Sequence, residues 1–326
     1  MVAIAAAVAA FLITALTGKP LAAKLNKMGL GRTALVRKGE DLTPGRDEAP
    51  EFGGVLFLAG FLPAGILAAA ALIVMGSTGA GFSAGKITAV LLGEVLMAAV
   101  GLTDDWRTAK RLPVMNPVLR SVLVWCVGLA FLMALTLSGS YSTIVLVPFS
   151  GTQADLGNGV WYLLLILGAA CGGNRMKAVS GEAASVSLAQ CLSCAAVCAV
   201  FGADAGMGLS FAAAGSLLGM LLYCFPPEKM REGSGGRMML GALPVFISIL
   251  SGIPLFLIPA GIPFIFEGIY VMIRVVCQAA GHPLRDETLG EWMISRGISG
   301  KAVSGIMTAA SLLGGILSVT AAYLYI

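Results

Sequence analysis

Charge is what this sequence has least of. Only 12% of its 326 residues are Asp, Glu, Lys or Arg, against about 25% in an average soluble domain. With 58% hydrophobic residues and a mean hydropathy of +0.91, that shortage excludes an ordinary soluble core and points to an integral membrane protein. Histidine is almost absent. His282 is the only one, so a histidine-built metal site is excluded. The seven cysteines lack the paired loop spacing of a disulfide framework. Cys126, Cys191, Cys194, Cys198 and Cys277 sit in apolar runs and read as small packing residues. The N-terminus, MVAIAAAVAAFLITALTG, lacks a basic leader and reads as a first spanning helix. Period-2 alternation is also missing, which excludes a barrel.

What is present is a series of apolar stretches at 2–18, 52–76, 86–103, 117–138, 159–173, 183–203, 207–225, 238–258, 259–280 and 302–325. Most approach the roughly 20 residues needed to cross a bilayer core, and lipid forces them to be helices. The expectation is an all-α integral membrane protein of about ten transmembrane helices forming one domain, 1–326. Of the 21 Lys and Arg, seven fall in 19–46, four in 107–120, two at Arg175 and Lys177, three in 229–237 and four in 274–301; only Lys86 remains. Ten spans put the first five groups on one side. By the positive-inside rule that side is cytosolic, with loops 19–51, 104–116, 174–182, 226–237 and 281–301, and both termini are extracytoplasmic. No nucleic-acid partner is expected.

Against this background the pair Asp104–Asp105 stands out, closing the third span in GLTDDWRTAKR. It reads either as a solvated helix end with basic neighbours or as a carboxylate site at the cytosolic headgroup layer. Glu94 lies eleven residues earlier on nearly the same face, about 16 Å away along a helix. Glu267 and Arg274 are seven apart in the ninth span. Ionisable groups at such depth face a cavity or a partner, or hydrogen-bond within the bundle. In FPPEKMREGSGGRMMLG, residues 225–241, Gly233, Gly235 and Gly236 with Lys229, Arg231 and Arg237 read as an anion nest or as an ordinary flexible loop. The stretch lacks the G-K-[ST] ending of a Walker loop.

In order along the chain, these pieces resemble the phospho-N-acetylmuramoyl-pentapeptide transferases, within the wider polyprenyl-phosphate N-acetylhexosamine-1-phosphate transferases. EAPEFGG matches that family's G-T-P-T-M-G-G at Pro50, Gly53 and Gly54. GLTDDWRTAKR matches G-F-I-D-D-Y-x-K at Gly101, Asp104 and Asp105. VLVPFSGTQADLGNGVWYLLLILGAACGGN resembles the outer hairpin and fifth span, ending at Asn174. Pro227 and Lys229 match P-x-K. Gly233 and Gly236 keep the glycines of M-G-D-x-G-S, and Glu267 fits the ninth-span glutamate. The resemblance implies a ten-span bacterial-type plasma-membrane enzyme with a cytosolic active face. Such an enzyme moves a phospho-sugar from a UDP-sugar to polyprenyl phosphate with magnesium. A homodimer is implied by the resemblance as well.

The departures bear on that chemistry. Where the family has N-A-V-N-L-T-D-G-L-D-G, this chain has NRMKAVSGEAA. Lys177 replaces an asparagine, and Ser180 and Ala183 replace aspartates. Ser234 stands where a magnesium-binding aspartate belongs, and GEW, residues 290–292, replaces a histidine triplet. Asp104 and Asp105 remain as catalytic and metal-binding candidates, with Asn174, Lys177, Ser180, Lys229, Gly233, Ser234 and Gly236 as substrate-binding candidates. Magnesium favours carboxylate and phosphate oxygens, and each lost ligand costs several kcal/mol of transition-state stabilisation. Glu182, Glu232 and Glu291 are nearby carboxylates that could compensate. Lys177 could instead pair with the two aspartates in the metal's stead. Three functions stay open: an impaired homologue that binds polyprenyl phosphate, a UDP-sugar or a cell-wall partner; an active magnesium-dependent transferase; and a transporter.

Overall fold

The structure is a computed structural model that describes residues 1–28, 30, 49–75, 84–110, 112–113, 115–282 and 284–326. Each of the ten apolar stretches is helical over most of its length. They form α1 (Val2–Lys27), α2 (Gly53–Val74), α3 (Ala84–Ala109), α4 (Pro117–Leu137), α5 (Val160–Arg175), α6 (Glu182–Val200), α7 (Asp204–Cys224), α8 (Gly233–Leu250), α9 (Ile262–Ala279) and, after the short α10 (Leu289–Ser295), α11 (Gly300–Tyr325). Among the described residues, α1–α4, α6–α8 and α11 are long and apolar enough to cross a membrane. The protein is thus a helical membrane protein.

Several boundaries differ from the sequence reading. α1 continues nine residues past 18. Much of the expected first loop, including Arg32, Arg37, Lys38 and Arg46, lies outside the described residues, as does Arg111. α8 begins at Gly233 and stops at Leu250. Gly252, at φ +72°, and Pro254 then break the chain into a 3-10 turn, Pro254–Leu257. The expected loop 281–301 contains α10, which starts on a capping box: the Thr288 side chain accepts from Glu291 N–H, and Glu291 accepts from Thr288 N–H. The all-α expectation has one small exception. Strands β1 (Ile144–Leu146) and β2 (Gln153–Asp155) pair antiparallel, with Val145 opposite Ala154, inside the stretch that resembles the family's outer hairpin.

α8 is the most buried of the eight candidate spans, held between α3, α5 and α6. Lipid offers no hydrophobic drive for helix pairing, so close backbone approach through small residues matters. Gly172 faces the Phe264 carbonyl of α9, Gly241 faces the Ala169 carbonyl of α5, and Gly268 faces the Gly168 carbonyl. A side chain at any of these would strike backbone. Deeper in the bundle Phe131 of α4 and Phe246 of α8 stack with centroids 4.4 Å apart.

Candidate functional site

Glycines bring three helix ends together. Gly101 lets the end of α3 approach the start of α8, where any side chain would meet Gly235 backbone. Gly54 lies similarly against Gly236. Gly53 N–H donates to the Arg231 carbonyl (2.8 Å) and Gly54 N–H to the Glu232 carbonyl (3.3 Å). The EAPEFGG and REGSGG stretches are therefore two sides of one junction.

The aspartate pair sits in this junction, buried and fully engaged. Asp104 accepts from Met115 N–H through Oδ1 (2.8 Å) and pairs with Arg120 of α4 through Oδ2. Asp105 accepts from Ser234 N–H (2.6 Å) and Gly235 N–H (2.8 Å). These are amides of the first turn of α8, which have no partner within the helix, so a carboxylate from α3 caps α8. Gly233, at φ +71°, is required here. A Cβ would meet the Glu51 carbonyl and the Asp105 carboxylate.

The same device repeats. Glu232, immediately before α8, accepts from Ala184 N–H (2.7 Å) and so caps α6. Glu182 opens α6 and accepts from Ala178 N–H (3.1 Å) and Val179 N–H (3.4 Å). Burial pushes the Glu232 carboxyl up to about 7, against the pull of the Ala184 N–H and the Arg237 charge. The folded state therefore holds the Glu232 proton more tightly than the unfolded chain. Its contribution to stability is complete below the ordinary carboxylate value of 4.5 and is lost as pH rises through about 7. The loss is on the order of 3 kcal/mol. Glu232→Gln is expected to flatten that slope between pH 4.5 and 8 in denaturation of the purified protein. An unchanged slope contradicts the assignment.

The other candidates distribute as follows. Lys177 lies 3.8 Å from Glu291, itself the cap of α10, so the cation on the aspartate pair is Arg120 and not Lys177. Lys229 lies over the Tyr223 ring. Asn174 Oδ1 and Ser180 Oγ are buried with no hydrogen-bond partner among the described residues. Glu267 pairs with Arg175 (2.8 Å). Arg175 also holds Asp286 (2.8 Å) and the Glu287 carbonyl (2.9 Å), and Arg274 meets Asp286 at 2.6 Å. Burial works against the Asp286 charge, but the Arg175 hydrogen bond and the nearby cations hold its carboxyl below the ordinary value. Glu94 is fully buried, and neither carboxyl oxygen has a hydrogen-bond partner among the described residues. Of the two readings, a hydrogen bond within the bundle is not formed among the described residues.

Arg120 and Arg175 entered the sequence reading as loop charges only, and Arg237 as one charge of a candidate anion nest. Their signal was weak: Arg237 stands where M-G-D-x-G-S ends in serine, and Arg120 lies one turn into the helix after the aspartate pair.

The donor set is poor for magnesium. Each oxygen of Asp104 and Asp105 already accepts one hydrogen bond from the protein. Positions 180, 183 and 234 carry no charge. Among the described residues no three His, Cys, Asp or Glu side chains are placed to hold an ion.

Fold and junction together define a multi-pass helical membrane protein with a capped, acidic helix junction at one end. Over 277 residues, 82% of each chain, it is 27% identical to the phospho-N-acetylmuramoyl-pentapeptide-transferase of Moorella thermoacetica. It is 28% identical over 286 residues, 83% of each, to the protein of that name from Desulforudis audaxviator. The Oceanobacillus iheyensis protein of the same name is 25% identical over 275 residues, 82% of this chain and 81% of its own. No family profile matches the chain. The protein is a divergent relative of the phospho-N-acetylmuramoyl-pentapeptide transferases.

Proposed function

We propose that this chain is a ten-span phospho-sugar transferase homologue of the bacterial plasma membrane, with its cleft on the cytosolic face. It binds polyprenyl phosphate or a UDP-sugar there, and magnesium-dependent transfer is impaired. The observation that carries this reading is the engagement of every Asp104 and Asp105 oxygen by a protein donor. Phosphoryl transfer needs the developing charge neutralised at the transferring group, and carboxylates that also hold a helix end and a guanidinium share their charge with them. The near full-length likeness to transferases supports retention of the binding cleft.

The test is product formation from UDP-N-acetylmuramoyl-pentapeptide and undecaprenyl phosphate by purified protein in nanodiscs with magnesium. Turnover is expected at about 1000-fold or more below an active relative, the consequence of about 4 kcal/mol of lost transition-state stabilisation. It should equal that of Asp104→Asn. Magnesium-dependent product that Asp104→Asn abolishes overturns the reading. It would favour the second one, an active enzyme that recruits Glu182 and Glu232, whose carboxylates are buried beside the junction.

A further inference from the structure

Eight buried side-chain polar atoms have no hydrogen-bond partner among the described residues. Four of them, Arg120 Nε, Asn174 Oδ1, Ser180 Oγ and Arg237 Nε, belong to the junction end of the bundle. The rest, on Glu94, Gln190 and Ser210, lie inside α3, α6 and α7. A buried donor without an acceptor costs about 1–3 kcal/mol, so two such guanidinium groups, one paired with Asp104 and one acting on Asp105, call for an explanation.

Arg237 lies in the first turns of α8 and is only half-buried. Its charge acts on both Asp105 and Glu232, yet among the described residues it forms no ion pair within 4.0 Å. Arg120 spends one terminal nitrogen on Asp104 and keeps its Nε–H free of a partner. A guanidinium carries five N–H donors in a planar fork and stays charged at any physiological pH. The backbone amides at the start of α8 are not the anion receptor, because Asp105 already takes those of Ser234 and Gly235. Among the described residues, the cationic side chains at this junction with a buried N–H that has no partner are the two arginines.

We propose that Arg237, with Arg120 as the partner of Asp104, binds a phosphate group at the α3–α8 junction without a divalent cation. The guanidinium supplies the positive charge that an ion would bring. The ligand chemistry is a phosphate monoester or diphosphate ester, held by charge-assisted and bidentate hydrogen bonds. The proposal rests on the binding reading above and deepens it, naming what replaces the metal.

The test is equilibrium binding to the full chain in nanodiscs with excess EDTA, using two probes. UDP represents a soluble nucleotide diphosphate, and undecaprenyl phosphate in the nanodisc represents a lipid monophosphate. At least one probe is expected to bind with an affinity that EDTA changes less than about twofold, and which one binds identifies the source of the phosphate. Arg237→Gln should weaken that binding about tenfold or more. Arg237→Lys should recover part of it, and Arg296→Gln, an exposed charge change on α10's flank, should leave it unchanged. The proposal is overturned if neither probe binds in EDTA, if magnesium restores binding that EDTA removes, or if Arg237→Gln binds as tightly as the wild type. The EDTA comparison needs no variant, so a misfolded Arg237→Gln does not shield the idea. Metal-dependent binding without product defeats this inference and leaves the proposed function standing. Magnesium-dependent product defeats the proposed function directly.

Discussion

Asp105→Ala is expected to cost about 2–6 kcal/mol of folding stability, at about 1–3 kcal/mol for each buried N–H left without a partner. The carboxylate satisfies Ser234 N–H and Gly235 N–H at 2.6 and 2.8 Å, and no water-filled surface lies beside the 3% exposed side chain to take over. The start of α8 also loses the anion that complements its dipole. Asp105→Asn keeps one acceptor oxygen and should recover roughly half. The measurement is chemical or thermal denaturation in detergent, with retention of fold checked by helicity. A loss under 1 kcal/mol for the alanine variant would mean that the junction relaxes and the cap is dispensable. This expectation is independent of catalysis, because it treats Asp105 as a structural anion rather than a metal ligand.

The second large effect concerns Arg175. Its guanidinium joins the end of α5 to Glu267 of α9, to Asp286 and to the Glu287 carbonyl, and stacks over Tyr270 at 5.1 Å. Glu267 in turn accepts from Leu289 N–H at 2.5 Å, tying α9 to the start of α10. Arg175→Met strands the 3% exposed Glu267 charge and is expected to cost about 3–5 kcal/mol, the usual consequence of breaking a buried pair from one side. The double replacement Arg175→Met with Glu267→Met removes both charges and should recover most of that loss. If the two single changes simply add, the pair is not an energetic unit.

The helices were legible because bilayer length and apolarity act on each segment alone. The junction was legible in outline for a different reason. Gly53, Gly54, Gly101, Gly233 and Gly236 are motif positions, and every one of them except Gly236 has a side chain's space taken by neighbouring backbone; at Gly236 the Gly54 backbone is merely close. What the sequence could not convey is partnership. Arg120, Arg175 and Arg237 were read for sidedness alone or as a loop's charge, but Asp104 meets Arg120 across sixteen positions and Glu267 meets Arg175 across ninety-two. No local period records such distances. Lys177 was the plausible cation by motif alignment, and Glu291 took it instead because α10 forms where a plain loop was expected. Glu232 was noted as a nearby carboxylate, while its role as the cap of α6 depends on how α6 and α8 meet.

The relay in which Asp105 secures α8 and Glu232 secures α6 chains three helices through two carboxylates. The residue just before α8 holds the next helix start, so a shift at the end of α3 is passed on to α6 through a stretch of four residues, 232–235. Neighbouring positions there are constrained together, and a replacement at one is felt at both helix starts.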